Sequence, residues 1–163
     1  SPENRFRIVR EIFEGIRGVL PDYPILVKIN GSTTGDNESY QADFRYYLEE
    51  LDALGAEAVE LSGAVFSPAG KSEGPYFIDQ LREIKERTGL PILLVGGMRN
   101  LEDMETALDA GAAMVSLSRP LICEPDLILK LLSGQPEAKC IRCNRCFSIY
   151  PAEQRSCVQH PKP

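Results

Sequence analysis

Three stretches of this chain use one device: LGAEAVEL (54–61), TGLPILLV (88–95) and AGAAMVSL (110–117). Each puts a glycine where a helical pattern stops, then a short apolar run. A glycine at such a point can take a left-handed backbone, which ends a helix without a Cβ clash. A short, nearly continuous apolar run suits a strand covered on both faces, as in a parallel sheet. The device therefore predicts helix, glycine, buried strand, three times over. Strands separated by helices require right-handed crossovers, which narrows the fold to a parallel α/β sheet.

The other elements extend this series. Residues 2–20 read as a helix: Ser1 can cap it, Pro2 suits its first position, and Ile8, Val9, Ile12, Phe13, Ile16, Val19 and Leu20 form a wide apolar stripe. ILVKI (25–29), bounded by Pro24 and Gly31, reads as a strand, and GSTTGDNES as a polar loop. A second helix carries Phe44, Tyr47, Leu48, Leu51 and Leu54 on one face and ends at Gly55, before the strand AVELS (58–62). Residues 77–88 predict a helix closed by Gly89, and PILLV (91–95) a strand. Residues 101–110 predict a helix capped by Asn100 and closed by Gly111, and AMVSL (113–117) a strand. A last helix is expected over about 125–132.

Four parallel strands fit an open doubly wound sheet or part of a (β/α)8 barrel. An open sheet usually carries a glycine-rich turn after its first strand. None follows ILVKI. Small residues and arginines come instead after the last two strands, as VGGMR (95–99) and SLSRP (116–120). Phosphate held by the loops after strands 7 and 8 is a barrel feature, and a whole barrel takes about 250 residues. At 163 residues the chain can supply about half of one. The net charge of −6 argues against a broad nucleic-acid footprint. No apolar run reaches about 18 residues and the N-terminus is polar, so neither a membrane span nor a signal peptide is expected, and the chain reads as cytoplasmic.

Strand parity sorts the side chains. Val27, Ile29, Val59, Leu61, Val115 and Leu117 fall on faces suited to helices. Lys28, Glu60, Ser116 and Ser118 fall on the opposite face, which in a barrel points inward. Lys28 and Glu60 could equally neutralise each other across neighbouring strands. For VGGMR and SLSRP an anion is the better explanation: glycines let backbone N–H groups approach it, a following helix adds its positive end, and Arg119 can fork onto phosphate oxygens.

Of the five cysteines, Cys140, Cys143, Cys146 and Cys157 crowd the C-terminal end, with Cys123 apart. Tight thiol spacing points to a metal or cluster rather than a disulfide framework. Four thiolates could hold a 4Fe-4S cluster or close a tetrahedral zinc site, with Lys139, Arg142, Arg145 and Arg155 offsetting the charge. Cys123 reads as an ordinary, partly buried residue, and His160 as an inert residue of a proline-rich tail. Residues 1–133 thus divide from a cysteine-rich segment, 134–163.

SPENRFR, VKIN, VELSG, VGGMR, NLEDMETALDAGAAMVSLSRPLI and KCIRCNRC, in this order, resemble the C-terminal half of the old yellow enzyme family, the NADH:flavin oxidoreductases. The resemblance is greatest to the branch containing 2,4-dienoyl-CoA reductase. It implies strands 5–8 of a (β/α)8 barrel with FMN at its mouth. Lys28, where many relatives have arginine, would contact the polar edge of the flavin ring. Gly96 and Gly97 would meet the phosphate with Met98 beside the ring. The Ser118 amide and the Arg119 side chain would hold the phosphate, relatives often having glycine at the serine position. Cys140, Cys143, Cys146 and Cys157 would bind a 4Fe-4S cluster, although the branch has one more residue between its second and third cysteines.

The activity implied is hydride transfer from NAD(P)H through FMN to an activated C=C. In the family, the substrate-holding pair and the proton donor come from the first half of the barrel. This chain has no candidate for them and reads as a fragment, inactive alone and prone to self-association. Two alternatives stand beside this reading. One is a phosphate-binding half-barrel of another class, using Gly97 and Arg119 for a sugar phosphate. The other is a non-catalytic interaction module organised by the four cysteines.

Overall fold

Alternating apolar residues on four short strands assemble one parallel sheet. In the computed structural model, residues 1–31, 37–63, 74–147 and 157–159 are described. The strands are β1 (Leu26–Asn30), β2 (Ala58–Ser62), β3 (Ile92–Val95) and β4 (Met114–Ser116). They lie side by side in chain order, every neighbouring pair parallel. The register aligns Lys28 with Glu60, Glu60 with Leu93, and Leu93 with Met114. This is the predicted architecture, with β1 and β4 at the edges, and each strand boundary lies within two residues of its predicted place.

One face of the sheet is covered by helices. Val59, Leu61, Ile92 and Leu94 are fully buried there, with Val27, Ile29 and Val115 packed against them. The covering helices are α1 (Pro2–Val19), α2 (Asn37–Ala53), α3 (Ile78–Lys85) and α4 (Leu101–Asp109). Phe44, Leu48 and Leu51 supply the core face of α2 as expected, and Phe6 of α1 stacks on Tyr47 with ring centres 5.6 Å apart. The α1 stripe is used only in part. Phe6 and Phe13 are buried, whereas Ile8, Ile12 and Val19 are exposed. Ser1 sits at the start of α1 but makes no side-chain cap bond.

The glycine device holds at two of its three positions. Gly55 (φ +74°) and Gly111 (φ +104°) are left-handed, but Gly89 is not. There α3 ends early, at Lys85; the Arg87 and Thr88 amides bond back to the Ile84 carbonyl, and the Leu90 amide donates to the Thr88 hydroxyl at 3.2 Å. Asn100 caps α4 as predicted, its side chain accepting the Asp103 amide at 2.7 Å. The expected last helix is α6 (Leu127–Leu132), and an unpredicted short helix, α5 (Arg119–Cys123), precedes it and begins inside the predicted phosphate loop. Pro120 suits the first turn of α5 because its missing N–H has no helical partner there.

The segment after α6 folds back onto the sheet end rather than leaving it. Ala138 is buried in the core cluster, and its amide donates to the Arg99 carbonyl at 2.8 Å. Glu124 is the only buried charged side chain among the described residues, and it accepts the Lys139 amide at 2.6 Å. A short 3-10 turn, Arg145–Phe147, follows. Most of the polar loop after β1, together with Arg155 and His160, lies outside the described residues. Among those described, no helix is long and apolar enough to cross a membrane.

Candidate functional site

The C-terminal ends of the strands open onto a cavity of about 220 Å³. Its wall includes Lys28, Gly96, Gly97, Met98, Ser118 and Arg119. These are the six residues for which the sequence predicts a cofactor contact. They reach one place because β1, β3 and β4 are parallel and end at the same side of the sheet.

Lys28 and Glu60 are partners across β1 and β2 and form an ion pair, to which Ser116 adds a hydrogen bond onto the other Glu60 oxygen at 2.9 Å. Lys28, Glu60 and Ser116 thus share one face as parity predicts, and the two charges are partnered. Glu60 fixes where the ammonium group sits and offsets part of its charge.

Gly96 (φ +110°) and Gly97 (φ +91°) make the turn after β3. A Cβ on Gly97 would lie 2.1 Å from the Gly74 carbonyl oxygen, and one on Gly96 would lie 3.2 Å from both Tyr76 and Phe77. The Tyr76 amide donates to the Gly96 carbonyl at 3.2 Å. The glycines thus first admit the chain's own segment 74–77, a packing role that the anion argument did not include. Met98 is buried beneath this turn.

Ser118 precedes the first turn of α5, its carbonyl accepting the Leu121 and Ile122 amides at 3.0 and 3.1 Å. The Arg119 guanidinium donates to the Asn144 side-chain oxygen. Arg99, the other arginine of the paired signal, is used differently. Its Nη2 donates to the Ala138 carbonyl at 2.6 Å and its Nη1 lies 3.3 Å from a Glu137 oxygen. The Arg99 amide meets Asp103 at 2.7 Å. Arg99 borders the cavity but holds residues 137 and 138 of the chain's own returning segment.

Much of the wall comes from residues that carry no site signal in the sequence. Tyr76 and Phe77 enter from the segment before α3, and Cys140, Arg142 and Phe147 from beyond α6. Phe77 was legible only as the start of a helix, and Tyr76 lies just before it. Nothing local marks residues 140–147 as cavity wall.

Cys140 is buried, while Cys143, Cys146 and Cys157 are half-buried. Burial raises the Cys146 thiol above its ordinary pKa. Burial, then contact with Cys157, pushes the Cys123 thiol up to about 12. Among the described residues no three His, Cys, Asp or Glu side chains gather as a metal site. Cys140 and Cys143 lie near enough to Cys146 to act on its thiol, and Cys157 neighbours Cys123, which the spacing had set apart.

Residues 1–138 match the NADH:flavin oxidoreductase / NADH oxidase family. The chain belongs to this family. The match stops just before Cys140, so the cysteine segment lies outside it. The NADH-dependent flavin oxidoreductase iccE of Talaromyces variabilis is 29% identical over 160 residues, covering 84% of this chain and 37% of that protein. The imidazole glycerol phosphate synthase subunit HisF of Pyrobaculum aerophilum is 32% identical over 77 residues, covering 47% of this chain and 29% of that subunit. The structure of the 6-hydroxypseudooxynicotine amine oxidase HisD of Pseudomonas geniculata N1 superposes with a TM-score of 0.81 at 22% identity, covering 98% of this chain and 25% of that one. Measured against iccE, this member of the NADH:flavin oxidoreductase family spans little more than a third of its relative's length.

Proposed function

We propose that this chain forms strands 5–8, the C-terminal half, of the barrel of an FMN-dependent NAD(P)H:flavin oxidoreductase of the ene-reductase type. The observation that carries the reading is that Lys28, Gly96, Gly97, Met98, Ser118 and Arg119 all line one cavity. Bound FMN would accept a hydride from NAD(P)H and deliver it to an activated C=C. Arg119, with the Gly96–Gly97 turn and the Ser118 amide, holds the phosphate. Lys28, fixed by Glu60, would face the polar edge of the ring and favour the negative charge that reduction places there. Met98 would lie beside the ring.

The cavity, about 220 Å³, is smaller than the roughly 300–1,000 Å³ of ligand pockets in general. An N-terminal barrel half is the partner that would complete it, and that half would bring the substrate-holding pair and the proton donor. A cytoplasmic location goes with this reading. A 4Fe-4S or zinc site rests on the cysteine spacing alone.

One observation favours a second reading, a sugar-phosphate site in a half-barrel of another class: the 77-residue stretch shared with the HisF subunit. An absorption spectrum of anaerobically purified protein, with metal analysis, separates the possibilities. A flavin spectrum supports the oxidoreductase. Colourless protein that binds sugar phosphates supports the second reading. Bound metal with no affinity for flavin would leave a metal-organised interaction module.

A further inference from the structure

Arg119 is held from outside the barrel. Its guanidinium donates to the side-chain oxygen of Asn144, in the segment that folds back after α6. That segment is fixed at several points on the sheet side. Arg99 grips the Ala138 carbonyl at 2.6 Å, Ala138 returns a bond to the Arg99 carbonyl, and Glu124 accepts the Lys139 amide at 2.6 Å. Asn144 itself has φ +60°, a left-handed backbone that asparagine tolerates better than most residues. Its carbonyl accepts the Phe147 amide at 2.9 Å and so starts the 3-10 turn. The main chain of Asn144 is thus committed to the turn, and its side chain to Arg119. Cys140, Arg142 and Phe147 of the same segment stand in the cavity wall.

From this geometry we propose that Asn144 is a positioning residue for Arg119, and that residues 140–147 are thereby part of the phosphate end of the flavin site. An arginine has five N–H donors in a rigid fork. An amide oxygen on one of them restricts the guanidinium's rotation and leaves other donors for a phosphate. A neutral acceptor suits this role, because a carboxylate there would cancel the charge the phosphate needs. The inference rests on the FMN reading above.

The test compares FMN with riboflavin, which lacks the phosphate. Isotope-labelled chain is titrated with each, following the backbone signals of Gly97 and Arg119, so that weak binding is still read. Asn144→Gly removes the amide while keeping the left-handed backbone. It should weaken FMN binding roughly two- to ten-fold, because the lost bond orients the guanidinium and does not itself touch the ligand, and leave riboflavin binding unchanged. Asn144→Asp should weaken FMN at least as much. Loss of affinity for both ligands would mean that Asn144 only shapes the pocket, and would overturn the proposal. So would unchanged FMN binding in Asn144→Gly when Arg119→Ala abolishes the preference for FMN. If Arg119→Ala leaves that preference intact, or the unaltered chain has none, the phosphate assignment itself fails.

Discussion

Arg119 lies on the one strand-end turn whose arginine is not tied to the chain's own backbone carbonyls, unlike Arg99. A charged hydrogen bond to phosphate contributes about 1.5–3 kcal/mol, so Arg119→Ala is expected to weaken FMN binding by about that much. Fluorescence quenching of FMN on titration measures it, and equal affinities would remove Arg119 from the phosphate site. Gly97 constrains the same turn from the other side. With φ +91° and a Gly74 oxygen 2.1 Å from where its Cβ would stand, any side chain must strain the backbone and displace segment 74–77. Gly97→Ala should cost roughly 1–3 kcal/mol of stability. A melting temperature matching that of the unaltered chain would show that the turn can relax.

Between elements, Glu124 joins α5 to the returning segment. Burial opposes its ionisation, but the Lys139 amide, Gln135 and Lys130 together hold its carboxyl below its ordinary value of 4.5. A depressed folded-state pKa means that the unfolded chain binds the proton more readily. The stabilisation is therefore complete above about pH 4.5 and is lost as pH falls through the lower folded value. Melting temperature measured against pH should fall more steeply for the unaltered chain than for Glu124→Gln, with the two curves converging in acid. Parallel curves would mean that the docked segment does not depend on this carboxylate. The elements themselves were legible to differing depths. The four strands and α4 follow from alternation and from the Asn100 cap. The early end of α3 does not, because Thr88 and Ile84, rather than Gly89, terminate it.

At the scale of the molecule, β1 and β4 are the edges of the sheet among the described residues, and Leu26 and Met114, on the face away from the helices, are 57% and 58% exposed. Strand edges offer unpaired N–H and C=O groups to any matching chain. Closure into a barrel removes them. The outer flank of α1, where Val19 is 79% exposed, is uncovered too. The chain by itself is expected to self-associate and to bind FMN more weakly than when joined to an N-terminal barrel half, with no NAD(P)H-dependent reduction of enones. Sedimentation velocity at several concentrations tests the first expectation. A single monomeric species at the highest concentration would show that the edges are protected.

What the sequence by itself determined is what local backbone chemistry and side-chain parity encode. Glycines before apolar runs set the order of strands, Asn100 set the start of α4, and alternation put Lys28, Glu60 and Ser116 on one face. Parallel strands then carried the residues at their ends to one side, so all six predicted contacts line the cavity. Only the tertiary structure decided which partner each polar group found. Arg99 turned to Ala138, Arg119 to Asn144, Cys157 to Cys123, and segment 74–77 into the space left by Gly96 and Gly97. Such pairings join positions far apart in the chain and have no period or spacing. They follow from where the packed sheet leaves room and an unpaired donor, which no local stretch of residues records.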